Sequence, residues 1–341
     1  MAVVSHRERM LRAFDFANPD RLPVYYHPST AGLHVHGQKL LDLFRAYPPD
    51  NDLDFDRLPQ PDPAAHDADG AYHEFKRDAF GTVWEHRIFG IQGHPSAYPI
   101  PDWSAPYEFP AVPAPDSPEC CQLAAANARR RQDYLIFGGG ISLFERLCAM
   151  RPFDEVLMDL MEEPPAVLHM LDRLQEYQAR QIDFCLAAGQ EVILFGDDWG
   201  TQQSLILPPA LFRRLFRPRL RALMDRVHAA GARVLYHSCG AVHALVPDLV
   251  ACGSNGLWHQ LGLYEAEAFA DECARRRLFL FLHMDRQRLV PLGTPQEIRD
   301  TVRRYADLHL ARGGGAAFYI EIENDAPWAN VEALILAVHD Q

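Results

Sequence analysis

The amino-acid sequence predicts an α/β fold, a distorted (β/α)8 barrel of the TIM type with an N-terminal hairpin excursion. Short apolar stretches of strand character alternate with amphipathic helical stretches, which is the pattern of a parallel sheet covered by helices. Stretch after stretch ends on His, Asp, Cys or Glu, and barrel enzymes carry their active sites at the carboxyl ends of the strands. No glycine fingerprint follows the first strand, which argues against a doubly wound dinucleotide-binding sheet. One barrel accommodates 341 residues, so we treat residues 1–341 as a single domain.

The chain opens with a predicted helix, a turn and a strand. Residues 5–16 have apolar positions at helical spacing, and Asn18-Pro19-Asp20 then breaks the helix. Residues 21–26 follow as an extended apolar run that ends at His27. We interpret this run as the first barrel strand.

Residues 48–118 interrupt the alternation with many prolines and aspartates. Within them, only residues 71–91 alternate like paired strands, around Asp78-Ala79-Phe80-Gly81. We therefore expect a hairpin excursion here. Long connections of this kind are often functional, so docking or lid formation is its expected use.

Beyond the excursion, strand and helix alternate regularly, with amphipathic helices such as residues 209–229 and 295–310. Counting the first strand, seven strands are predicted, one fewer than a closed barrel needs. We expect the eighth to be short or irregular. The six later strands are residues 134–137, 192–195, 233–236, 256–258, 278–282 and 316–320.

The composition argues against several classes of function. With 33 basic and 46 acidic residues the net charge is −13, which does not suit binding to nucleic acid. No stretch reaches about 18 uninterrupted apolar residues, so no membrane span is expected. Lysine occurs only at Lys39 and Lys76, neither of them in a glycine-rich or strand-end context, so a phosphate loop or a lysine Schiff base has little support.

The cysteines and the first residues bear on localisation. Seven cysteines, an odd number, are scattered along a large chain, and we interpret them as reduced. The first 16 residues are charged and amphipathic, without the apolar core of a secretion signal. We therefore expect a cytoplasmic protein.

His237-Ser238-Cys239 is the sharpest local motif. Residues two apart on a strand share a face, so the imidazole and the thiolate can converge, and together they favour zinc. A catalytic zinc site needs a third ligand, for which Glu321 and Glu323 are candidates and His283 the next choice. In the alternative, Cys239 is a small buried residue and His237 a hydrogen-bonded core histidine.

Other polar residues at strand ends are candidates for catalysis or binding. Asp197 and Asp198 directly follow a strand, and at least one of them could instead cap a helix. His27 and His259 could act as acid or base, bind substrate, or be structural. Gly138-Gly139-Gly140 precedes a helix and could approach an anion or cofactor closely, or simply form a turn.

Several distinctive motifs are spread over nearly the whole chain: Ser5-His6-Arg7-Glu8-Arg9, Asn18-Pro19-Asp20-Arg21-Leu22-Pro23, Phe80-Gly81-Thr82-Val83-Trp84, Gly196-Asp197-Asp198-Trp199-Gly200, His237-Ser238-Cys239-Gly240 and Gly293-Thr294-Pro295. In these motifs the chain resembles the uroporphyrinogen decarboxylase superfamily, in particular its branch of cobalamin-dependent methyltransferases. The resemblance implies a distorted (β/α)8 barrel. The Arg-Gln-Ala-Gly-Arg segment of true uroporphyrinogen decarboxylases has no counterpart after His27-Pro28-Ser29-Thr30, so haem biosynthesis is not expected.

In that branch the H-x-C motif and a late cysteine hold Zn²⁺, so the resemblance implies ligand roles for His237 and Cys239. The late cysteine is missing, and Glu321 is the best substitute in the corresponding stretch, followed by His283. The chain has no D-x-H-x-x-G cobalamin signature, so the resemblance implies that a separate protein carries the corrinoid.

The expected reaction is methyl transfer between a small methylated substrate and that corrinoid. A metal-dependent lyase or decarboxylase that needs no corrinoid is the alternative, and a barrel binding protein with a degraded metal site is a third possibility. The sequence leaves open the methyl donor, the direction of transfer and the oligomeric state. Aromatic residues such as Tyr26, Trp199, Trp258 and Phe318 would suit an aromatic or apolar substrate.

Overall fold

A computed structural model describes residues 4–53 and 56–341 of the chain. In this part, seven parallel strands form one curled sheet, in the order β1-β10-β9-β8-β7-β6-β5. From β5 onward each strand pairs with the next one in sequence, and the last, β10, pairs with the first. The seven strands are β1 Val24–Tyr26, β5 Phe137–Ile141, β6 Val192–Gly196, β7 Arg233–Ser238, β8 Gly256–His259, β9 Phe279–His283 and β10 Ala316–Ile320. This order confirms the distorted barrel.

Fourteen helices are present in the described residues, and those that follow the strands cover the outside of the sheet, whereas α1 precedes the first strand. They are α1 His6–Phe14, α2 Thr30–His36, α3 Gln38–Ala46, α4 Pro118–Arg130, α5 Phe144–Met150, α6 Phe153–Glu162, α7 Pro165–Ala187, α8 Pro209–Leu215, α9 Arg217–Ala229, α10 Val246–Cys252, α11 Ala266–Arg276, α12 Leu289–Leu292, α13 Pro295–Leu310 and α14 Trp328–His339. Single 3-10 turns lie at His243–Leu245 and Leu261–Leu263.

Local sequence explains where several helices begin and end. Helix α13 has the predicted bounds because Thr294 and Glu297 form a capping box and Pro295 occupies the first turn, where no donor is needed. The single helix predicted over residues 209–229 is two helices, separated at Phe216. Pro218 is the reason, since proline has no N–H for a continuous helix and fits only the first turn of α9.

Among the described residues, no eighth strand joins β1 to β5. A short segment covers the free edge of β1 instead: Asp50 N–H donates to the Val24 carbonyl, and the Asp50 carboxylate accepts from Val24 N–H at 2.8 Å. The Asn51 side chain binds both backbone groups of Tyr26, at 2.8 and 3.1 Å. Two side chains thus satisfy the edge that a strand would otherwise pair with.

The excursion contains a three-stranded antiparallel sheet of β2 Glu74–Arg77, β3 Val83–His86 and β4 His94–Ala97. The predicted hairpin is present as β2 and β3. The third strand was not predicted; its sequence, His-Pro-Ser-Ala, contains a proline and lacks apolar alternation.

Strand β5 lies further along the chain than predicted. Gly138, Gly139 and Gly140 belong to the strand itself, not to a turn after it, which corrects the expectation. At Gly139 the backbone has φ +112°, and an added Cβ would lie 2.8 Å from the Leu194 carbonyl oxygen on β6. Glycine is therefore required by the close approach of β5 to β6.

Two layers of apolar side chains hold the barrel together. One lies between the sheet and the surrounding helices, and the other fills the interior. Helix α1 belongs to the inner layer: Met10 and Phe14 are buried, and Phe14 stacks on Phe279 with 3.9 Å between ring centroids. Since Phe279 begins β9, α1 closes the amino end of the barrel and leaves the carboxyl end open.

None of the helices described by the structure is both long enough and apolar enough to pass through a lipid bilayer.

Candidate functional site

A cavity of about 340 Å³ opens at the carboxyl ends of the strands. Six of the residues predicted from sequence line it, namely His27, His237, Cys239, His259, His283 and Glu321. Each follows or ends a different strand, except that His237 lies on β7 and Cys239 directly follows the same strand. The parallel sheet therefore gathers residues that are distant in sequence.

His237 and Cys239 point to the same side because they are two residues apart on an extended chain. The Cys239 Sγ lies 3.5 Å from His237 Nε2. Asp198 joins them from the end of β6: its Oδ1 accepts from Cys239 N–H at 2.7 Å and lies 3.4 Å from His237 Nε2. The ligand atoms of these three residues all lie within 4.8 Å of one another.

The pKa of Asp198 is lowered, whereas the pKa of the neighbouring Cys239 thiol is raised. Burial would raise the pKa of Asp198, but His237 and the Cys239 backbone N–H outweigh it and hold that pKa below its usual value. Burial and the negative charge of Asp198 raise the pKa of the Cys239 thiol to about 12. A bound cation would reverse this thiol shift, because it stabilises the thiolate.

Two glycines allow the loops after β6 and β7 to touch. A Cβ on Gly240 would lie 2.2 Å from the Gly200 backbone, and φ at Gly240 is +84°. Gln260 supports the contact, since its Oε1 accepts from Gly240 N–H at 3.0 Å. This close approach places Asp198 beside Cys239.

Glu321, the expected third metal ligand, lies in a different cluster on the cavity wall. Its Oε2 accepts from Arg286 Nη1 at 3.1 Å, and its Oε1 lies 3.3 Å from His27 Nδ1. The same Arg286 nitrogen donates to Glu323 at 2.5 Å. Among the described residues, the group with metal-binding geometry consists of Asp198, His237 and Cys239. Asp198 is thus the third member in place of Glu321. Glu323 and His283, the other candidates for the third ligand, do not belong to this group either.

Three buried imidazole nitrogens on the cavity have no hydrogen-bond partner among the described residues: His237 Nδ1, His259 Nε2 and His283 Nε2. His259 binds the Tyr264 hydroxyl through Nδ1 at 3.0 Å, and burial lowers its pKa to about 3. Burial also lowers the pKa of His283 well below its usual value and that of His27 less strongly. Buried polar atoms are normally satisfied, so these nitrogens indicate that the cavity is built for a polar ligand.

Asp197 faces away from the cavity. It is fully buried, and its carboxylate accepts from Ser142 Oγ at 2.8 Å and from the backbone N–H groups of Leu143 and Glu145. Burial raises its pKa to about 6. These contacts satisfy the amino end of α5, so Asp197 does support a helix, but that helix precedes it in sequence and does not follow it.

The other expectations about binding residues have mixed outcomes. Gly138, Gly139 and Gly140 do not line the cavity. Of the four aromatic residues considered for substrate contact, Trp258 lines it, whereas Tyr26, Trp199 and Phe318 are buried in the core.

Sequence reasoning missed Arg286 and Glu145. Arg286 lines the cavity three residues beyond the end of β9, and its position after His283-Met284-Asp285 was a usable signal. Glu145 keeps access to solvent, but crowding by protein atoms and the charges of Asp198 and Asp197 raise its pKa to about 8. Nothing in the local sequence indicates that α5 begins beside these carboxylates.

The three-residue group fits zinc by donor chemistry. Imidazole nitrogen, thiolate sulfur and carboxylate oxygen are the ligands that zinc prefers, and a three-ligand site leaves one position for substrate. The group also lies beside the cavity, which His237 and Cys239 line. It can hold a catalytic cation, and the cavity can hold the molecule on which that cation acts.

Comparisons with known proteins agree with the barrel. A family model described as uroporphyrinogen decarboxylase (URO-D) matches residues 119–341. A solved methyltransferase from Methanosarcina mazei is similar over 99% of this chain and 99% of that one, with a TM-score of 0.66 and 19% identity. A xylose isomerase domain protein from Alicyclobacillus acidocaldarius covers 67% of this chain and 96% of its own at a TM-score of 0.33 and 12% identity, too distant to carry an argument. No curated protein matches the chain.

Proposed function

Because the chain belongs to the uroporphyrinogen decarboxylase family, we propose that it is a zinc-dependent methyltransferase that moves a methyl group between a small methylated substrate and a corrinoid on a separate protein. The fold likeness to the Methanosarcina mazei methyltransferase supports this reading. The chain has no cobalamin signature of its own, which supports a corrinoid-carrying partner.

The observation that carries the proposal is the group of Asp198, His237 and Cys239 beside the cavity. These residues would hold the zinc ion. Bound zinc would supply a Lewis acid that withdraws charge from the substrate heteroatom next to the methyl group. Asp198 replaces the late cysteine of the related enzymes as the third donor.

The chain's own residues then position the substrate and exclude water. The Trp258 ring lies between His237 and Tyr319, with centroids 4.3 and 4.2 Å away, and forms an apolar wall of the cavity. His259 and His283 are neutral at physiological pH because burial depresses their pKa values, so they orient a ligand by hydrogen bonds without adding charge.

The fixed charges of the cavity oppose the alternative of a lyase or decarboxylase acting on a small carboxylic acid. Arg286 is the basic residue that lines the cavity in the described structure, and Glu321 and Glu323 already neutralise it. Asp285 adds further negative charge to the same wall. A substrate carboxylate would find no unpaired cation there apart from the metal.

Metal content measured on four purified proteins tests the site. We expect one zinc per chain in the wild type and in Glu321→Gln, and loss of zinc in Cys239→Ala and Asp198→Ala. Glu321→Gln is the matched control, because it alters an acidic residue on the same cavity outside the three-residue group. Zinc loss in Glu321→Gln with retention in Asp198→Ala would restore Glu321 as the third ligand.

Methyl transfer to free Co(I) cobalamin tests the reaction, followed by the change in the visible spectrum of the cobalt. We expect transfer from a methylated substrate with the zinc-loaded wild type and a loss of at least about a hundredfold in Cys239→Ala. Metal-free protein with full activity would contradict the zinc mechanism, and turnover of a carboxylic acid without corrinoid would favour the lyase.

A further inference from the structure

One wall of the cavity presents a hydrogen-bond donor and a hydrogen-bond acceptor side by side. The donor is Nε2 of His283 and the acceptor is Oε2 of Glu321, 3.5 Å away. Both residues line the cavity. That distance is too long for a good direct hydrogen bond between them, so each atom retains capacity for a ligand.

His283 is held as a donor by its neighbour. The Trp258 indole N–H, which can only donate, points at His283 Nδ1 at 3.1 Å. The proton of the neutral imidazole must therefore sit on Nε2. The side chain is 9% exposed, and within the described part of the chain Nε2 has no hydrogen-bond partner. An unpaired buried donor is costly unless a ligand or water accepts from it.

Glu321 keeps acceptor capacity. Arg286 donates to its Oε2 at 3.1 Å. His27 Nδ1 lies 3.3 Å from Oε1, but that nitrogen accepts from Ser29 N–H at 3.2 Å, so neutral His27 has no proton there to give. A carboxylate can accept about four hydrogen bonds, and the described residues use only part of this capacity.

We propose that Glu321 and His283 together bind a hydroxyl group of the substrate, which donates to Glu321 and accepts from His283. A carboxylate ligand would be repelled by Glu321, an ammonium could not accept from His283, and an ether could not donate to Glu321. This inference rests on the proposed function and narrows its substrate class to a methylated compound that also carries a free hydroxyl.

Four small probes test which functional group the site prefers. All have a methoxy group at one end, and the other end is a hydroxyl, an ether, a carboxylate or an ammonium group. They are ethylene glycol monomethyl ether, ethylene glycol dimethyl ether, methoxyacetate and methoxyethylammonium. Binding to the zinc-loaded protein is measured by NMR titration in the absence of corrinoid. We expect the alcohol to bind about tenfold or more tightly than each of the other three, since a site built around a hydroxyl rejects analogues that lack it. Nitrogen-15 spectra of labelled histidine would show the His283 Nε2 signal shifting with the alcohol.

Variants assign the preference to the two residues. Glu321→Met removes the acceptor, His283→Phe removes the donor, and both should reduce the preference for the alcohol to about onefold. Glu323→Met is the matched control, because Glu323 also pairs with Arg286 but does not line the cavity, and it should keep the preference. Circular dichroism confirms that each variant is folded.

Equal binding of alcohol and diether by the wild type, no detectable binding of the alcohol, or an unchanged preference in folded Glu321→Met would overturn the proposal. These outcomes are independent of methyl transfer to Co(I) cobalamin. If methyl transfer occurs but the alcohol is not preferred, the proposed hydroxyl site is wrong and the proposed activity stands. If the alcohol is preferred but no methyl transfer occurs, the proposed methyltransferase activity is wrong and the hydroxyl site stands.

Discussion

Asp197 and Asp198 are adjacent in sequence, but their carboxylates have different surroundings. Successive side chains of an extended chain point to opposite sides, so the first carboxylate enters the core and the second faces the cavity side. Asp197 binds the amino end of α5, and Asp198 contacts His237 and Cys239. The sequence shows only that both follow a strand.

Replacing Asp197 tests its structural role. Asp197→Ala leaves Ser142 and two backbone N–H groups without an acceptor, and we expect it to lower the free energy of unfolding by about 2–3 kcal/mol. Asp197→Asn retains an acceptor and should lower it by less than about 1 kcal/mol. Chemical denaturation at pH 7 measures both.

The same residue predicts a pH effect. Asp197 has a pKa of about 6 in the folded protein, against roughly 4 in the unfolded chain. The folded state therefore binds this proton more tightly, so the contribution to stability is complete below pH 4 and is lost as pH rises through 6, by roughly 3 kcal/mol. Unfolding curves between pH 4 and 7 should show this slope in the wild type and not in Asp197→Asn; identical slopes would contradict the assignment.

At the scale of elements, the contact between the loops after β6 and β7 brings together Asp198, His237 and Cys239, the group that we propose binds zinc. Gly240→Ala would place a methyl group against the Gly200 backbone at a residue with positive φ. We expect a loss of about 3 kcal/mol in stability and a marked loss of zinc affinity, because Asp198 and Cys239 would move apart.

Gly231→Ala is the matched control for that variant. Its φ is +76°, close to that of Gly240, but an added Cβ would have no atom within 4 Å. Backbone strain alone should lower its stability by about 1 kcal/mol, with zinc affinity unchanged. Equal effects of the two variants on zinc affinity, measured by competition with a chelating dye, would exclude the loop contact as the cause.

The segment that covers the edge of β1 depends on Asp50. Its buried carboxylate binds Val24 N–H and pairs with Arg9, Arg21 and His6. Asp50→Ala would leave the buried Arg9 guanidinium without one of its two acidic partners, and we expect a loss of about 3–5 kcal/mol.

Burial would raise the pKa of Asp50, but its donors lower it to about 2. This stabilisation is complete above pH 4 and is lost as pH falls through 2, by roughly 2 kcal/mol. Acid titration of unfolding should show less loss over that range in Asp50→Asn than in the wild type.

At the scale of the whole molecule, the two ends of the barrel differ. Helix α1 packs its buried face on the amino end, whereas the carboxyl end keeps a cavity lined by histidines with unpaired nitrogens. One end is therefore packed for stability, and the other leaves polar groups available for ligands.

Zinc should stabilise the whole molecule if it binds only the folded protein. At a free concentration a hundred times the Kd, the expected gain is about 2.7 kcal/mol, or several degrees in Tm. Cys239→Ser should abolish the gain, whereas Cys252→Ser, at a buried cysteine outside the cavity, should keep it. Differential scanning calorimetry with and without zinc measures this, and an equal gain in both variants would locate the metal elsewhere.

The barrel could be predicted from the sequence, because the period of the apolar residues and the polar residues at strand ends are local properties. The strand at 316–320 and the helix at 295–310 have the predicted bounds, and six predicted residues line one cavity. The position of β5 could not be predicted in this way. Its glycines are explained by the close approach of β6, which local sequence does not show.

Which of these residues come into contact follows from the folded arrangement of the loops. Asp198 reaches Cys239 because two loops touch at glycines, and Glu321 is kept from that group by Arg286, which comes from another strand end. The edge of β1 is satisfied by Asp50 and Asn51 from outside any predicted strand. Such contacts depend on the distance between segments remote in sequence, and periodicity within one segment carries no information about that distance.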